Sequence, residues 1–337
     1  MDGAGTAKVL ECFAAQTRGE ELDASSIWKK GETSILNLYV DMDLLRYTAD
    51  NEDDKCTAID EREFPEYQFD PHCRGPTQPI IPNDGGTSTS DIPKTGKIFI
   101  FTTAALKEMK AGSFAELKKL NPDASPQSTY ALLAALAWTR IAIARVQTEN
   151  FLLPHERSDR AKMSNPVNWK LRVSSSAACG YSGNGVAKAV TVLHPDFLLS
   201  VHRGGCFKQL ALIAREINST ILRVDSDFVI SRKNLYRRLV EPRQLGLRWD
   251  YRQPTHLNFN SWRHMGAEAK WSLPGVSVTY PDAIRKLPGE WGIGDVLILL
   301  GRADSGRYEL LISPPEVSMK ALCEDDCWMT WVDRVVG

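Results

Sequence analysis

The sequence predicts an α/β protein with mixed sheets, divided into two bodies. Three observations predict it. Helical and strand-like hydrophobic periods are interleaved along the chain. Its 337 residues exceed the roughly 150 of one typical domain. A long polar stretch parts an acidic first third from a basic remainder: residues 1–96 carry 9 Lys and Arg against 19 Asp and Glu, and the other 241 carry 32 against 23.

Residues 4–18 read as a helix, because Val9, Leu10, Phe13 and Ala14 recur at three- and four-residue spacing and Arg18-Gly19 supplies a stop. Residues 34–40 read as a strand. Residues 48–96 are rich in proline and in turn clusters such as Asn83-Asp84-Gly85-Gly86, and read as a loop crossing between the two bodies. A compact strand is expected over 97–102 and a short helix over 103–110. Ser125-Pro126 reads as an N-cap followed by proline at the first helical position. Behind it Leu132, Leu136 and Ile143 line one face and Ala131, Ala135, Trp138 and Ala142 the next. So wide an apolar surface marks a buried helix. A short strand follows over 190–193, and Leu210, Ile213, Ile217 and Ile221 give an amphipathic helix. Residues 256–262 alternate as a strand. The runs 296–300 and 307–312 flank Ala303-Asp304-Ser305-Gly306, a hairpin signal. Ser313-Pro314-Pro315-Glu316 reads as a capping box that launches a last helix through Met319 and Leu322.

Composition excludes several classes. With 43% hydrophobic and 25% charged residues, the chain is neither disordered nor collagenous. The apolar run 131–138 spans eight residues, against about 18 for a membrane span. No basic segment followed by an apolar one opens the sequence, so no secretory leader is expected. Seven cysteines without a C-x-x-C argue against a disulfide scaffold or a structural zinc site. A cytoplasmic setting is expected. The charge split allows an anionic ligand on the basic side, and its simpler reading is an acidic, solvated loop region.

Isolated motifs carry little. Gly180-Tyr181-Ser182-Gly183-Asn184 falls one glycine short of a nucleophile elbow and reads as a turn or a ligand-facing loop. Gly292 and Gly294 precede a strand rather than a helix, the wrong order for cradling phosphate. Cys323 and Cys327 read as a packed helix face. None of the six histidines forms an H-x-x-x-H pair, and His194 at a strand end reads as a satisfied polar residue. The basic stretch Arg232, Lys233, Arg237, Arg238, Arg243, Arg248, Arg252, with Tyr236, Trp249 and Tyr251 interleaved, reads as a solvated face rather than a nucleic-acid site.

The order of the weaker motifs is more specific. Asp2-Gly3 opens the chain, before the helix closed by Arg18-Gly19. Then come Phe99-Ile100-Phe101 before Leu106-Lys107, and Ser128-Thr129 with Ala131, Leu132 and Trp138 in a helix ending Ala144-Arg145. Next stand Leu171-Arg172, Tyr181-Ser182-Gly183-Asn184 and Asn260-Ser261-Trp262, and finally Met319 and Leu322 near Trp328. This succession resembles fungal members of the BAHD acyl-CoA-dependent acyltransferases, the group that includes trichothecene O-acetyltransferases. The family signature H-x-x-x-D-G is matched only at Asp2-Gly3, so its histidine would lie ahead of residue 1. The family's D-F-G-W-G stretch is replaced by Ala269-Lys270-Trp271-Ser272-Leu273-Pro274, and its acid two residues before Arg172 by Lys170.

The resemblance implies a two-domain fold like that of chloramphenicol acetyltransferase, with the N-terminal domain incomplete. Residues 1–95 with 257–275 would form the N-terminal remnant, and 97–256 with 276–337 the C-terminal domain. It implies transfer of an acyl group from acyl-CoA, as co-substrate, to a hydroxyl or amine of a small acceptor of secondary-metabolite type. In the family an imidazole deprotonates the acceptor, which attacks the thioester carbonyl. Asp2 would pair with Arg172 to shape the motif turn, supported by Gly3. Asn260 and Trp262 would donate to the tetrahedral oxyanion, although a strand residue and a core aromatic remain equally open readings. Ser128, Thr129, Ser182 and Asn184 would line the CoA passage. No metal and no bound cofactor, no nucleic-acid or membrane partner, and a monomer are expected. Without the motif histidine the chain is expected to be inactive alone. A non-catalytic remnant that binds CoA or a small metabolite is the alternative.

Overall fold

A computed structural model describes residues 3–21, 58–73, 92–149, 157–170, 172–173, 185–200, 207–263, 265–266, 268–275, 277–281, 292–299 and 306–337. The expected strand over 34–40 lies outside them, as do Asp2, Ser182 and Asn184.

The chain opens with α1 (Gly3–Thr17), which ends at Gly19 in the left-handed region, φ +72°. Among its described residues the acidic segment contributes one short strand, β1 (Tyr67–Phe69). Next follow β2 (Lys97–Thr102), α2 (Thr103–Leu120) and α3 (Thr129–Thr148). Strands β3 (Ala161–Asn168) and β4 (Val186–Leu193) lead to α4 (Pro195–Leu199), α5 (Phe207–Leu222) and α6 (Ser226–Arg238). After β5 (Leu245–Leu247), the strands β6 (His256–Ser261), β7 (Asp295–Ile298) and β8 (Arg307–Ile312) complete most of a sheet. The chain closes with α7 (Glu316–Cys323), α8 (Asp326–Met329) and β9 (Arg334–Val336).

Seven strands form a mixed sheet in the order β4-β3-β6-β7-β8-β2-β9, and β1 pairs with β5 apart from it. The pairs β3–β6 and β6–β7 are parallel; β7–β8 is the antiparallel hairpin its turn residues suggested. Side chains alternate across the sheet. One face carries Met163, Leu257, Phe259, Val296, Ile298 and Leu310 into the main core beneath α3 and α5. The other presents Lys162, Ser164, His256, Asn258, Asn260 and Asp295.

Helix α3 is the centre of that core. Every residue from Ala131 to Arg145 is buried. By length and apolarity the helix would pass for a membrane span, but 83% of its apolar 18-residue window is buried inside the fold. Six alanines in that stretch let sheet and helices approach closely.

Several expectations need correction. The helix begins at Thr129, not at Pro126: Ser128 is the cap, and its Oγ accepts from the Ala131 N–H at 3.1 Å. The helix after residue 102 runs to Leu120, because Leu106, Met109, Ser113 and Leu117 continue its buried stripe. Ser313 closes no capping box; Pro315 occupies the N-cap of α7 and makes no side-chain cap bond. Cys323 and Cys327 stand on two successive helices rather than on one face.

Strand β6, whose residues the sequence reading grouped with the N-terminal remnant, pairs within the seven-stranded sheet. Leu257 and Phe259 are core residues of the seven-stranded sheet, so 256–261 stand between β3 and β7. The stretch after it does meet α1. Gly266, at φ +86°, leaves room for Leu10, whose Cδ1 would lie 2.8 Å from an added Cβ. The Thr17 hydroxyl accepts from the Ser272 N–H at 3.0 Å, and Arg18 donates to the Lys270 carbonyl.

The charge split has a structural meaning for residues 58–70, which are not a solvated loop. Glu61 accepts from Lys162 at 2.8 Å and from Arg248 at 3.1 Å. Glu66 takes a two-pronged bond from Arg232, at 2.8 and 3.2 Å. The Arg232 guanidinium lies 3.5 Å over the Phe228 ring and 5.0 Å over Phe64. Part of the basic stretch thus neutralises the acidic segment, and only Arg237, Arg238 and Arg243 remain as a solvated face. Trp249 is buried with its ring 5.1 Å from that of His256, which removes it as a stacking platform.

Candidate active site

Two of the candidate residues, Asn260 and Trp262, stand at the C-terminal end of β6. Asn260 is half-buried on the polar face of the sheet. Its Oδ1 accepts from the Ser261 N–H at 2.7 Å, which leaves the amide NH2 as donor. Trp262 follows the strand. Its N–H donates to the Ile298 carbonyl at 2.8 Å, and its indole packs against the buried cluster of Leu297, Leu299 and Leu311. Trp262 is thus at least a wall, and Asn260 at least a positioned donor.

Ser128 and Thr129 open α3. Beside them, Tyr130 turns its ring onto Phe259 edge-on, with centroids 5.2 Å apart. Its hydroxyl donates to the Phe259 carbonyl at 3.1 Å and accepts from Asn165 Nδ2 at 3.0 Å. Burial pushes the Tyr130 phenol up, against the Asn165 hydrogen bond, so it stays a protonated donor. The helix start that carries two candidates is therefore bonded to the residue next to a third. Tyr130 and Asn165 escaped the sequence reading, since a tyrosine in an apolar helix reads as core and Asn165 lies in a run without strand alternation.

The entry to β6 is fixed by Arg145, which is fully buried. It pairs with Glu149 at 2.7 Å and donates to three main-chain carbonyls: Tyr251 at 2.8 Å, and Gln253 and His256 at 3.2 Å. Ser318 donates to Glu149 as well, at 2.9 Å. His256, the first residue of β6, is buried. Burial, with Lys162 and then Arg145 nearby, holds its pKa down to about 3, so the ring is neutral near pH 7. His194 serves a different purpose, accepting from the Asp196 N–H at 3.2 Å to cap α4.

Arg172 stands apart from this centre. Its guanidinium donates to the Ile221 carbonyl at the end of α5, and its N–H to the Trp169 carbonyl at 2.9 Å. Lys170, in the family's acidic position, is buried, and its stem lies across Gly185, where an added Cβ would meet Lys170 Cε at 2.2 Å. Trp169 donates to the Gly185 carbonyl at 3.0 Å, so the Arg172 turn adjoins the end of the 181–184 motif. Among the described residues no group of three His, Cys, Asp or Glu side chains could hold a metal ion.

The chain is similar to the O-acetyltransferase pboB of Aspergillus ustus, with 27% identity over 220 residues, 62% of this chain and 43% of that protein. All of it matches the fold of F. sporotrichioides TRI101, solved with Coenzyme A and T-2, at a TM-score of 0.67, 15% identity and 65% of that chain. By fold and sequence it is akin to the BAHD-type acetyltransferases. F. graminearum TRI101, complexed with Coenzyme A and Deoxynivalenol, matches over the whole chain at a TM-score of 0.61, with 15% identity and 65% of that chain covered. No family model matches. The chain spans less than two thirds of the length of each of these relatives. Its mixed α/β architecture matches the fold of TRI101, in line with the resemblance, and the structural neighbours named here were solved with coenzyme A.

Proposed function

We propose that the chain is the acyl-CoA-binding part of an acyltransferase acting on a hydroxyl or amine of a small acceptor. The observation that carries this is the match of its whole length to TRI101, an enzyme solved with coenzyme A, together with an O-acetyltransferase relative. The start of α3 would receive the cofactor. Ser128 and Thr129 offer hydroxyls there, and the first turn of a helix offers main-chain N–H groups to phosphate. Ser182 and Asn184 would line the same passage. The Asn260 amide would donate to the oxyanion that forms when the acceptor attacks the thioester carbonyl. A preorganised donor of that kind is worth about 2.7–4 kcal/mol of barrier. Trp262 would wall the site on the same face of the sheet as Asn260, with Asp2 and Gly3 shaping the motif turn against Arg172. The acceptor would be a small hydroxylated metabolite of the kind the TRI101 structures hold, and the setting the reducing cytoplasm.

The general base belongs to the part of the family motif that precedes Asp2. His256 does not replace it, being buried and a weak base. The polypeptide 1–337, mixed with acetyl-CoA and deoxynivalenol, should therefore release CoA thiol near the background rate. General-base catalysis is typically worth 10²–10⁴-fold. Robust turnover abolished by mutating one of the six histidines would overturn this reading. Binding of CoA without transfer in any longer form would instead favour the non-catalytic remnant, the reading to which Lys170 in the family's acidic position lends weight.

A further inference from the structure

We infer that Tyr130 is a positioning residue for Asn260, holding it at an opening in the sheet that Pro166 creates. The inference deepens, and rests on, the acyl-transfer reading of Asn260.

The argument starts from the ladder. The register pairs Lys162 with His256, Met163 with Leu257 and Ser164 with Asn258, and the parallel pairing of β3 with β6 stops there. On its other edge β6 donates to β7 from the N–H groups of Asn258 and Trp262, to the Gly294 and Ile298 carbonyls, both at 2.8 Å. Alternation then turns the Phe259 N–H and carbonyl toward β3. Continuing the parallel ladder, the N–H at position 166 would donate to the Phe259 carbonyl. Residue 166 is proline and has no N–H. Strand β3 nevertheless continues to Asn168, because its other edge stays paired with β4 from Ala161 to Asn168. The break therefore affects only the β6 side, and it falls one residue before Asn260.

A buried carbonyl left without a donor costs about 1–3 kcal/mol. Here two side chains take the place of the missing N–H. Tyr130 donates to the Phe259 carbonyl at 3.1 Å, and Asn165 Nδ2 donates both to that carbonyl, at 3.2 Å, and to the Tyr130 oxygen. Asn165 is 0% exposed and its Oδ1 has no partner, so the amide is oriented by this triangle rather than by solvent. Tyr130 stands two residues after Ser128, the cap of α3. The Tyr130 hydroxyl thus bonds the segment that would receive CoA to the strand that would polarise its thioester, next to Asn260. A main-chain ladder would have fixed β6 to β3. The hydroxyl fixes it to α3, the Asn165 amide is the bond left to β3, and the main-chain ladder stays open beside Asn260.

The sequence contains one Phe-Asn pair, Phe259-Asn260, so protein labelled with ¹³C-carbonyl phenylalanine and ¹⁵N-asparagine gives a single carbonyl–amide correlation. In Tyr130→Phe the Phe259 carbonyl resonance should move upfield, as a carbonyl that has lost a donor does. With [1-¹³C]acetyl-CoA bound, the thioester carbonyl stretch should lie lower in frequency than in solution in the parent chain. It should return to the solution value in Asn260→Ala, and shift most of the way back in Tyr130→Phe while the affinity for acetyl-CoA stays within about threefold. A purely structural role for Tyr130 would lower the melting temperature and leave the stretch untouched. An unmoved Phe259 resonance, or a moved resonance with a parental thioester stretch in Tyr130→Phe, overturns the inference. A parent chain that binds acetyl-CoA without any frequency shift overturns the assignment of Asn260, and the Phe259 resonance then reports on the Tyr130 bond alone.

Discussion

Replacing Arg145 with methionine should cost the fold about 3–5 kcal/mol, the range for breaking one side of a buried ion pair. Methionine fills much of the stem's volume but leaves the Glu149 carboxylate buried without its cation. It also strips donors from the carbonyls of Tyr251, Gln253 and His256. A typical domain is stable by only about 5–15 kcal/mol, so the midpoint of urea unfolding should fall by roughly a fifth or more. The double variant Arg145→Met/Glu149→Met should recover part of the loss, because no charge is then stranded. A single variant as stable as the parent would show that the segment leading into β6 is held by something other than Arg145.

The second large effect concerns pH. An unfolded histidine titrates near 6.5, while His256 in the fold is held down to about 3 by burial, with Lys162 and Arg145 beside it. A depressed pKa gives stability that is fully present above 6.5 and is lost as pH falls toward 3. Each unit in that window removes about 1.4 kcal/mol, so acidification from pH 6.5 to 4.5 should cost on the order of 2–3 kcal/mol from this residue alone. The carboxylates nearby act otherwise. Glu61 is lowered, its bonds to Lys162 and the charge of Arg248 outweighing burial, so its contribution fades only beneath about 4.5. Glu66 is raised by burial, partly offset by Arg232, so the stability linked to it falls as pH rises through its own range. His256→Gln removes only the histidine component. Urea midpoints between pH 7 and pH 5 should therefore fall less steeply in His256→Gln than in the parent, and equal slopes would exclude the buried neutral ring as the cause.

What could be read in the sequence was whatever has a period. The helix of Leu210, Ile213 and Ile217, the strand of Leu257 and Phe259, and the hairpin at 303–306 follow from hydrophobic spacing and turn residues, which are local. Strand β3 could not be read, because Asn165 interrupts the alternation of Ala161, Met163 and Val167 with Lys162 and Ser164, and Pro166 argues against a central strand. It survives because one edge is fully paired and two side chains repair the other. The three-residue strands β1, β5 and β9 carry too little pattern to be seen. The acidic segment looked solvated because its partners Lys162, Arg232 and Arg248 lie more than 90 residues away, and nothing local shows that they meet. Of the proposed site, Asn260, Ser128 and Thr129 were named through the resemblance. Tyr130 and Arg145 were visible only as members of a buried helix, and their bonds to β6 needed the fold.

The most direct test of the account is calorimetric titration of the chain with CoA. The account predicts saturable binding of one CoA per chain, weakened by added salt because the ligand is anionic, and weakened in Thr129→Val, which removes a hydroxyl at the start of α3 and spares the Ser128 cap. No saturable heat at millimolar CoA, or binding indifferent to Thr129→Val and to salt, would contradict it.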